Sequence, residues 1–489
     1  MTDTILDTLK ADGWLRETNA IGGVWGAADT GETLDVTNPA TGTVIGTIAW
    51  AGSVETNAAI DAAQAAFKTW SMTLAAERAA ALHRMAAVIR EHAEPLAAML
   101  TLEQGKPLAE ARAEILLGAQ YVQWFAEEAR RINGSVVPSP WPGRQVLVTR
   151  EPVGVVAAIS PWNFPFSMLS RKIAPALAAG CTVVVKPSEF TPYCGLLWAV
   201  LAEQAGIPAG VVNVVTGDAV AIGGALTASP LVRKLTFTGS TRVGKLLYEQ
   251  SGATMKKLSM ELGGNAPFLV FDDADLENAV EGAIASKYRN SGQTCVCTNR
   301  FYIQDGIYDA FAARFTERVK ALKVGDGFAA DVQQGPLIND AAVAKVAAHV
   351  ADAVAKGGVV LTGGKPHALG GTFYEPTVIR DATKDMLVAH EETFGPLAAL
   401  FRFTHEQDGI DAANATEFGL AAYFYTRDLA RTFRVARALE AGMVGINEGI
   451  ITSEVAPFGG VKDSGIGREG SSLGIEEFLH VKYLCVGGL

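Results

Sequence analysis

Short apolar runs alternate with longer helix-like segments through the middle of this chain, and this alternation restricts the fold more than any other feature. The apolar runs, each typical of a buried strand, are residues 154–159, 182–185, 211–215 and 233–237. Between the first two, residues 167–179 have the pattern of a helix. Strands that alternate with helices at this spacing form right-handed βαβ units. We therefore predict an α/β fold with a mostly parallel sheet.

The chain is longer than one such sheet requires. Its 489 residues exceed the size at which a single hydrophobic core stops growing, so two or three domains are expected. A second α/β series starts near residue 257 and continues to about residue 446. Residues 130–150, which include Val146, Leu147 and Val148 among polar and proline-rich positions, do not fit the first sheet. Upstream, the patterns predict helices over residues 58–70 and 75–102.

Composition and charge exclude several classes of protein. With 49% hydrophobic and 19% charged residues, the chain can bury a large core. The net charge of −11 argues against a nucleic-acid partner, because binding phosphates requires clustered Lys and Arg. Five cysteines are an odd, sparse set that favours a reducing compartment over a disulfide framework. We expect a soluble, cytoplasmic protein without a membrane partner, since the N-terminus lacks a basic signal segment and no apolar run would span a bilayer.

Cys295 follows a run of mostly small, polar residues from Ser291 to Thr294. Such a run suits a turn that lets backbone approach a substrate. A thiol is a strong nucleophile only as the thiolate, and its free pKa of about 8.5 leaves a few per cent ionised at neutral pH. A lone cysteine is as often a small buried hydrophobic residue, so this run alone leaves both interpretations open.

Two further runs contain candidate catalytic groups. Glu261 lies in an apolar stretch that ends at two glycines, and desolvation raises a carboxylate pKa towards the value that a general base for water needs. A solvent-facing Glu at the end of a strand is the alternative. Asn163 lies between Pro161 and Pro165, which fix a non-helical backbone. Its amide is suited to an oxyanion hole, and the alternative is a structural Asn in a turn.

Together, these three runs resemble the aldehyde dehydrogenase superfamily. Other segments that match the family, in the family's order, are residues 38–42, 103–107, 186–189, 237–241, 392–396 and 457–460. The resemblance implies that Cys295 is the nucleophile, Glu261 the general base, and Asn163 with the Cys295 backbone N–H the oxyanion site. It also implies an aldehyde dehydrogenase-like α/β fold with two parallel-sheet domains and a small β oligomerisation arm.

The resemblance also divides the chain into domains. Residues 1–129 and 150–257 correspond to a dinucleotide-binding domain, and residues 258–448 to a catalytic domain. Residues 130–149 and 449–489 correspond to oligomerisation and bridging segments. A homo-oligomer, either a dimer or a tetramer, is implied.

Residues that follow predicted strands suggest where a cofactor binds. Ligands of open α/β sheets bind beyond the carboxyl ends of the strands. Lys186 and Ser188 follow one strand, and Gly239 and Ser240 follow another just before a helix whose N-terminus suits a pyrophosphate. Residues 239–244 are not the GxGxxG fingerprint, and aldehyde dehydrogenases depart from that fingerprint in the same way.

By resemblance, Lys186 and Glu189 contact the adenosine ribose, and Glu392 contacts the nicotinamide ribose. The other cofactor-binding positions carried over are Trp162, Ser188, Leu262 and Phe394. A carboxylate at Glu189 accepts from a 2′-hydroxyl and repels a 2′-phosphate, which favours NAD. Lys186 and Ser188 leave NADP as an alternative.

Two arginines indicate the substrate class. Arg171 lies eight residues after Asn163, and Arg289 lies six residues before Cys295. A single Arg is more often a surface charge, but two that flank catalytic runs suit a carboxylate, because the guanidinium is forked.

The arginines, the Cys295-Val296-Cys297 run and residues 447–449 and 482–489 resemble the succinate-semialdehyde dehydrogenase branch. There, two arginines and a hydroxyl residue, here Thr452 or Ser453, hold the far carboxylate. Residues 166–170 depart from that branch, which more often has smaller residues there. Glutarate semialdehyde is therefore the nearest rival substrate, followed by a broader range of aldehydes.

The mechanism implied by the resemblance is covalent. The Cys295 thiolate attacks the aldehyde, hydride transfer leaves a thioester, and water activated by Glu261 releases the acid. CoA-acylating members generally lack this base, so a hydrolytic product is expected. A cofactor-free thiol hydrolase is the alternative from another class, but it needs a base, usually His, and none of the seven histidines lies in the three catalytic runs. A non-catalytic relative would be expected to lose the nucleophile or the base.

Cys297 lies two residues after the nucleophile. A disulfide needs Cα atoms within about 7 Å, which this spacing permits in a loop but strains in a regular strand. Strained disulfides are the labile, regulatory kind. We therefore hypothesise that mild oxidation joins Cys295 to Cys297, and the alternative is that Cys297 is a packing residue. No second Cys or His pair stands at ligand spacing, so no metal site is predicted.

Overall fold

The computed structural model describes residues 2–489, and helices and strands alternate along most of this range. The α-helices, in chain order, are α1 (Thr2–Ala11), α2 (Ser53–Trp70), α3 (Ala75–Glu91), α4 (Ala93–Gln104), α5 (Leu108–Glu128), α6 (Pro165–Ala179), α7 (Pro192–Gln204), α8 (Ala219–Ala228), α9 (Thr241–Ser251), α10 (Leu276–Tyr288), α11 (Tyr308–Lys320), α12 (Asp340–Ala355), α13 (Leu387–His390), α14 (Glu406–Asn414), α15 (Leu429–Ala438) and α16 (Ser471–Glu476). Short 3₁₀ helices are Ala129–Arg131, Gly252–Thr254 and Arg289–Gly292. None of the helices within residues 2–489 is both long and apolar enough to cross a membrane.

The β-strands, in chain order, are β1 (Asn19–Ile21), β2 (Val24–Gly26), β3 (Thr33–Thr37), β4 (Val44–Ala49), β5 (Ser135–Val137), β6 (Arg144–Pro152), β7 (Val155–Ile159), β8 (Thr182–Lys186), β9 (Val212–Val214), β10 (Val232–Thr238), β11 (Lys257–Glu261), β12 (Ala266–Val270), β13 (Thr298–Gln304), β14 (Val359–Thr362), β15 (Thr377–Arg380), β16 (Leu397–Phe403), β17 (Phe418–Gly419), β18 (Ala421–Tyr425), β19 (Met443–Ile446), β20 (Val461–Lys462), β21 (Gly465–Ile466) and β22 (Leu479–Gly487).

The first large sheet has the strand order β2-β1-β9-β8-β7-β10-β11-β21. Its central strands from β9 to β11 run parallel, and the pairs at both edges are antiparallel. Strands β7 and β8 are buried over their whole length, as expected where helices cover both faces of a parallel sheet. Helix α6 joins these two strands. It begins with Pro165, whose missing N–H is tolerated there, and ends at Gly180 in the left-handed region at φ 98°.

The second large sheet has the order β14-β15-β16-β13-β12-β18-β19 and is parallel except for β14. The chain passes directly from the carboxyl end of β11, in the first sheet, to the amino end of β12, in the second. The carboxyl edge of the first sheet therefore faces the amino edge of the second. The prediction of an α/β fold with two parallel sheets is confirmed.

A third, smaller sheet stands outside both large ones. Strands β22, β6 and β5 form it in that order, all antiparallel, with β22 and β6 paired along nine residues each. The predicted small β arm is therefore present, and it joins residues 135–152 to the C-terminal strand.

The structure corrects several predicted boundaries. The helix predicted over residues 75–102 is broken at His92, because Pro95 would disrupt the interior of a continuous helix and instead lies in the first turn of α4. Strand β11, which includes residues 258–261 of the predicted catalytic domain, pairs with β10 in the first sheet. Strand β21, within the predicted bridging segment 449–489, also pairs with β11 and closes the edge of the first sheet.

Candidate active site

A cavity of about 290 Å³ opens where the two large sheets meet. Loops that follow β7, β10 and β11 reach it from the first sheet, and loops that precede β13 and β16 reach it from the second. The predicted site residues that line it are Trp162, Asn163, Gly239, Ser240, Leu262, Cys295, Glu392 and Phe394. Met168 and Lys345 also line it, and neither was predicted. Tertiary structure thus brings eight of the predicted site residues to one cavity.

Cys295 lies half-buried in the loop between the 3₁₀ helix Arg289–Gly292 and β13. Burial raises the pKa of its thiol to about 12, while the positive charges of Arg171 and Arg289 act in the opposite direction. Asn290 and Ser291, just upstream, adopt left-handed backbone with φ of 51° and 55°, a strained conformation for residues with a side chain. The nucleophile loop is therefore held in an uncommon conformation by its surroundings.

Cys297 is buried, and its thiol donates a 2.9 Å hydrogen bond to the carbonyl oxygen of Lys287. Its backbone N–H donates to the carbonyl of Thr294 at 3.0 Å, so the two cysteines lie on a turn rather than in a regular strand. Both thiols are free. The redox pairing of Cys295 with Cys297 stays a prediction.

Asn163 contacts the nucleophile loop directly. Its side-chain Nδ2 donates to the carbonyl oxygen of Gln293 at 3.0 Å, which uses one of its two N–H groups. The backbone carbonyl oxygen of Asn163 accepts from Asn290 Nδ2 at 3.0 Å and from Lys106 Nζ at 2.7 Å. The amide that suits an oxyanion hole therefore lies in the cavity together with Cys295.

Glu261 is the last residue of β11 and is only 2% exposed. Neither of its carboxylate oxygens has a hydrogen-bond partner in residues 2–489. Loss of solvation raises the pKa of Glu261 well above its ordinary value, and the negative charge of Glu469 adds to this rise. The charge of Glu261 also raises the pKa of Cys295, so the two groups interact electrostatically. A buried carboxyl with a raised pKa and no hydrogen-bond partner has the properties expected of a general base for water.

Arg171 lies on α6, with its side chain 3% exposed. Its guanidinium lies over the ring of Phe458 at 4.3 Å and over that of Tyr121 at 5.5 Å, and its Nε is 3.5 Å from Oε2 of Glu469. Within the described residues, its Nε and Nη1 make no hydrogen bond. Because buried donors are almost always paired, an anionic ligand is expected to complete this site.

The other residues predicted to bind substrate are brought near Arg171 to different extents. Arg289 is half-buried with its guanidinium 4.9 Å from the centre of the Phe164 ring. Tyr121, which stacks under Arg171, donates from its hydroxyl to the carbonyl of Ser453 at 3.1 Å. Ser453 is thereby connected to Arg171. Thr452 is half-buried and shares no hydrogen bond with this group in the described part of the chain.

Most of the residues predicted to bind a dinucleotide lie at the carboxyl edge of the first sheet. Lys186, at the end of β8, is buried and pairs with Glu189 at 3.2 Å, and Ser188 accepts from the Phe190 N–H at 3.3 Å. Ser240 caps the N-terminus of α9 by accepting from the Val243 N–H at 3.4 Å. The remaining N–H groups of that helix turn suit a phosphate.

At the other end of the cavity, Glu392 accepts from the Gly264 N–H at 3.3 Å, and burial raises the pKa of Glu392 to about 7. Trp162 and Phe394 meet edge to face with ring centres 5.5 Å apart. Lys345, on α12, donates to the carbonyl of Glu392. Trp162 from the first sheet therefore meets Phe394 from the second, and Glu392 stands on the side of the cavity formed by the second sheet.

Several buried charges near this site were not predicted from the sequence. Lys172, adjacent to Arg171, pairs with Glu469 and donates to Thr238 at 2.6 Å. Lys106 and Glu114 form a second buried pair. Lys106 falls in the segment 103–107 that matches the family, and this match could have indicated a role near the site. Nothing in the sequence around Glu469 indicates its burial, because its partners are distant in the chain.

Comparisons with known proteins agree with this geometry. A model of the aldehyde dehydrogenase family matches residues 25–484. A glutarate-semialdehyde dehydrogenase of Pseudomonas aeruginosa is 56% identical over 481 residues, which cover 98% of this chain and 100% of that protein. The NADP(+) succinate-semialdehyde dehydrogenase GabD of Escherichia coli is 56% identical over 472 residues, covering 96% of this chain and 98% of GabD. The crystal structure of succinate-semialdehyde dehydrogenase from Burkholderia pseudomallei is similar with a TM-score of 0.96 and 58% identity, covering 97% of this chain and 98% of that one.

Proposed function

The chain belongs to the aldehyde dehydrogenase family, and we propose that it oxidises succinate semialdehyde to succinate. The choice of substrate rests on the burial of Arg171 and on guanidinium nitrogens that make no hydrogen bond within the described residues. Two nitrogens of its buried guanidinium, Nε and Nη1, have no hydrogen-bond partner in residues 2–489, and its charge lowers the pKa of the Cys295 thiol. A substrate whose aldehyde reacts at Cys295 and whose far carboxylate pairs with Arg171 satisfies both groups.

Glutarate semialdehyde is the second candidate. A relative named for it is as similar to this chain as one named for succinate semialdehyde, each at 56% identity. Met168 lines the cavity and contacts the Arg171 guanidinium. A flexible thioether can move to admit one further methylene, so a comparison of the two substrates decides between them.

The proposed reaction begins with attack of Cys295 on the aldehyde carbon. The free N–H of Asn163 and the backbone N–H of Cys295 stabilise the negative charge that develops on the oxygen. Loss of a hydride from the Cys295 adduct, to the acceptor that a bound NAD or NADP would supply, leaves a thioester. Glu261 then removes a proton from water, and the resulting hydroxide attacks the Cys295 thioester and releases the acid. Glu261 suits this role because its raised pKa makes it a stronger base than an exposed carboxylate.

A dinucleotide suits residues at the carboxyl edge of the first sheet together with Glu392 from the second. The buried Lys186, the N-terminus of α9 and Glu392 offer a cation, free N–H groups and a ribose acceptor. Glu189 favours NAD through a 2′-hydroxyl contact, whereas Lys186, 3.2 Å from it, supports NADP. We propose that both cofactors bind.

We also propose that the chain forms a homo-oligomer, a dimer or a tetramer, through the small β arm. Val481 and Tyr483 are 65% and 57% exposed on one face of the arm, and Val136 and Leu484 are 69% and 37% exposed on the other. Both faces therefore carry apolar side chains that a sheet without a partner would not keep in water. Light scattering coupled to size-exclusion chromatography measures the oligomer directly.

All five cysteines are free, which supports a reducing, cytoplasmic compartment.

Replacing the two arginines tests the choice of substrate. Arg171→Ala and Arg289→Ala should each raise KM for succinate semialdehyde by about 10- to 100-fold, the range for a lost hydrogen bond to a charged group. An uncharged aldehyde of similar length should change little. Arg437→Ala, at an exposed position on α15, is the matched control and should behave as the wild type. Equal losses on charged and uncharged aldehydes would mean that the arginines are structural.

A further inference from the structure

Lys106 and Glu114 form an ion pair that is excluded from solvent. Lys106 Nζ lies 2.6 Å from Oε2 of Glu114, and the two side chains are 0% and 1% exposed. Buried charges persist in folded proteins when each finds additional hydrogen-bond partners. Both members of this pair do, and all of those partners lie in the segment that carries Asn163.

Lys106 holds the peptide of the oxyanion donor. Its ammonium donates to the carbonyl oxygen of Asn163 at 2.7 Å and lies 3.9 Å from the centre of the Phe164 ring. The N–H groups of the ammonium are thus directed to Glu114, to the Asn163 carbonyl and to an aromatic face. This fixes the backbone from which the Asn163 side chain projects.

Glu114 holds the next residues of the same segment. Its Oε1 accepts from the backbone N–H groups of Phe166 and Ser167 at 3.0 and 3.1 Å, in the first turn of α6. Those N–H groups have no acceptor within the helix, and the residue at its N-cap, Phe164, provides none. Glu114 therefore supplies, from α5, the cap that α6 lacks in its own sequence, and α6 carries Arg171.

The same helix α5 also holds the nucleophile loop. Glu110, one turn before Glu114, accepts from the backbone N–H of Asn290 at 2.8 Å. The side chain of Asn290 in turn donates to the Asn163 carbonyl, the atom that Lys106 also contacts. One helix thus sets the position of both the oxyanion donor and the loop that ends at Cys295.

We propose that Lys106 and Glu114 are positioning residues that keep the Asn163 amide aligned with Cys295. Neither contacts the reacting atoms, and both act through the Asn163 peptide and the first turn of α6. This inference rests on the role proposed above for Asn163. Glu103 offers a matched comparison, because it is also a buried carboxylate and caps α7 through the Tyr193 and Cys194 N–H groups, both at 2.9 Å, without contacting the Asn163 segment.

The test compares four changes in the full-length enzyme: Lys106→Met/Glu114→Gln, Glu114→Gln, Glu103→Gln and Asn163→Ala. The double change removes both charges, which avoids leaving one of them buried and unpaired, and the amide oxygen introduced by Glu114→Gln remains an acceptor for the helix N–H groups.

The double change should lower kcat by about 10- to 100-fold while KM for the dinucleotide stays within about two-fold. Glu103→Gln should change thermal stability but leave kcat within about two-fold.

Two further measurements distinguish a loss of Asn163 alignment from a general disruption of the active site. Alkylation of Cys295 by iodoacetamide forms no oxyanion, so its rate in the double variant should stay within about two-fold of the wild type. Asn163→Ala should lower kcat by about 10²- to 10³-fold, the range for loss of one oxyanion donor. Adding the double change to Asn163→Ala should then cost less than about a further two-fold, since the group being positioned is gone.

Each outcome decides the matter. A fully additive loss in the Asn163→Ala background, an unchanged kcat in the double variant, or an equal loss in Glu103→Gln overturns the positioning role. If the double variant does not fold, Glu114→Gln against Glu103→Gln provides the comparison, and equal kcat values for these two overturn it. Full turnover by Asn163→Ala would instead reject the role of Asn163 in the proposed function.

Discussion

The side-chain amide of Asn163 donates a 3.0 Å hydrogen bond to the carbonyl oxygen of Gln293, two residues before Cys295. Asn163 follows β7 of the first sheet, whereas Gln293 precedes β13 of the second. The bond therefore joins the two halves of the reaction centre across the junction between the sheets. A shift of one sheet relative to the other changes the nucleophile and the oxyanion donor together.

The two chemical steps should separate in variants of the nucleophile and the base. Cys295→Ala should abolish dehydrogenase turnover, because no covalent adduct forms. Glu261→Ala should still give a burst of reduced dinucleotide and then stall at the thioester, because water is no longer activated. Stopped-flow absorbance follows both, and near wild-type turnover by the Glu261 variant would show that another group is the base.

Glu261 should make both acid release and stability depend on pH, with opposite signs. The carboxylate is the active base, so thioester hydrolysis should slow as pH falls below the raised pKa of Glu261. Protonated Glu261 favours the folded state, because its pKa is higher in the folded protein than in the unfolded chain. Its contribution to the free energy of unfolding is complete below pH 4.5, the ordinary pKa of a Glu, and is lost as the pH rises through the raised pKa of the folded state. Glu261→Gln should therefore raise the melting temperature more at pH 8 than at pH 5. Equal shifts in differential scanning fluorimetry at the two pH values contradict this.

Glu189 should control the preference between the two dinucleotides. Its carboxylate repels a 2′-phosphate, and its partner Lys186 remains when it is neutralised. Glu189→Gln should raise kcat/KM with NADP relative to NAD by about 10-fold, on the scale of one hydrogen bond to a charged group. Glu249→Gln, at an exposed position on α9, is the control. An unchanged ratio of the two cofactors would exclude this role.

Cys297 should make the enzyme sensitive to oxidation. Peroxide is expected to join Cys295 to Cys297 and inactivate the enzyme, once the Cys297 thiol leaves the Lys287 carbonyl, and a dithiol should reverse the loss. Activity before and after reductant, in the wild type and in Cys297→Ala, measures this. A variant that loses and regains activity as the wild type does rules out the Cys295–Cys297 switch.

Local patterns in the sequence predicted several of the buried strands and helices, whereas the roles of the candidate catalytic residues came from the resemblance to a family. The buried strands β7 and β8 are continuous apolar runs, and Cys295, Glu261 and Asn163 lie in short runs whose composition already indicates turns or strand ends. The break between α3 and α4 was missed, because the apolar periodicity continues past it and outweighed the signal of Pro95.

The charge environment of the site was decided by tertiary structure alone. Lys172 and Glu469 are separated by 297 positions in the chain, and Lys106 meets the Asn163 carbonyl 57 positions away. Nothing local distinguishes Arg171 from a surface arginine. Its burial and its contacts with Tyr121, Phe458 and Glu469 arise only when α6 packs against segments that are distant in the chain. Periodicity records which backbone forms along a segment, whereas desolvation and ion pairing depend on which distant segments meet, and that is set by the packing of the whole chain.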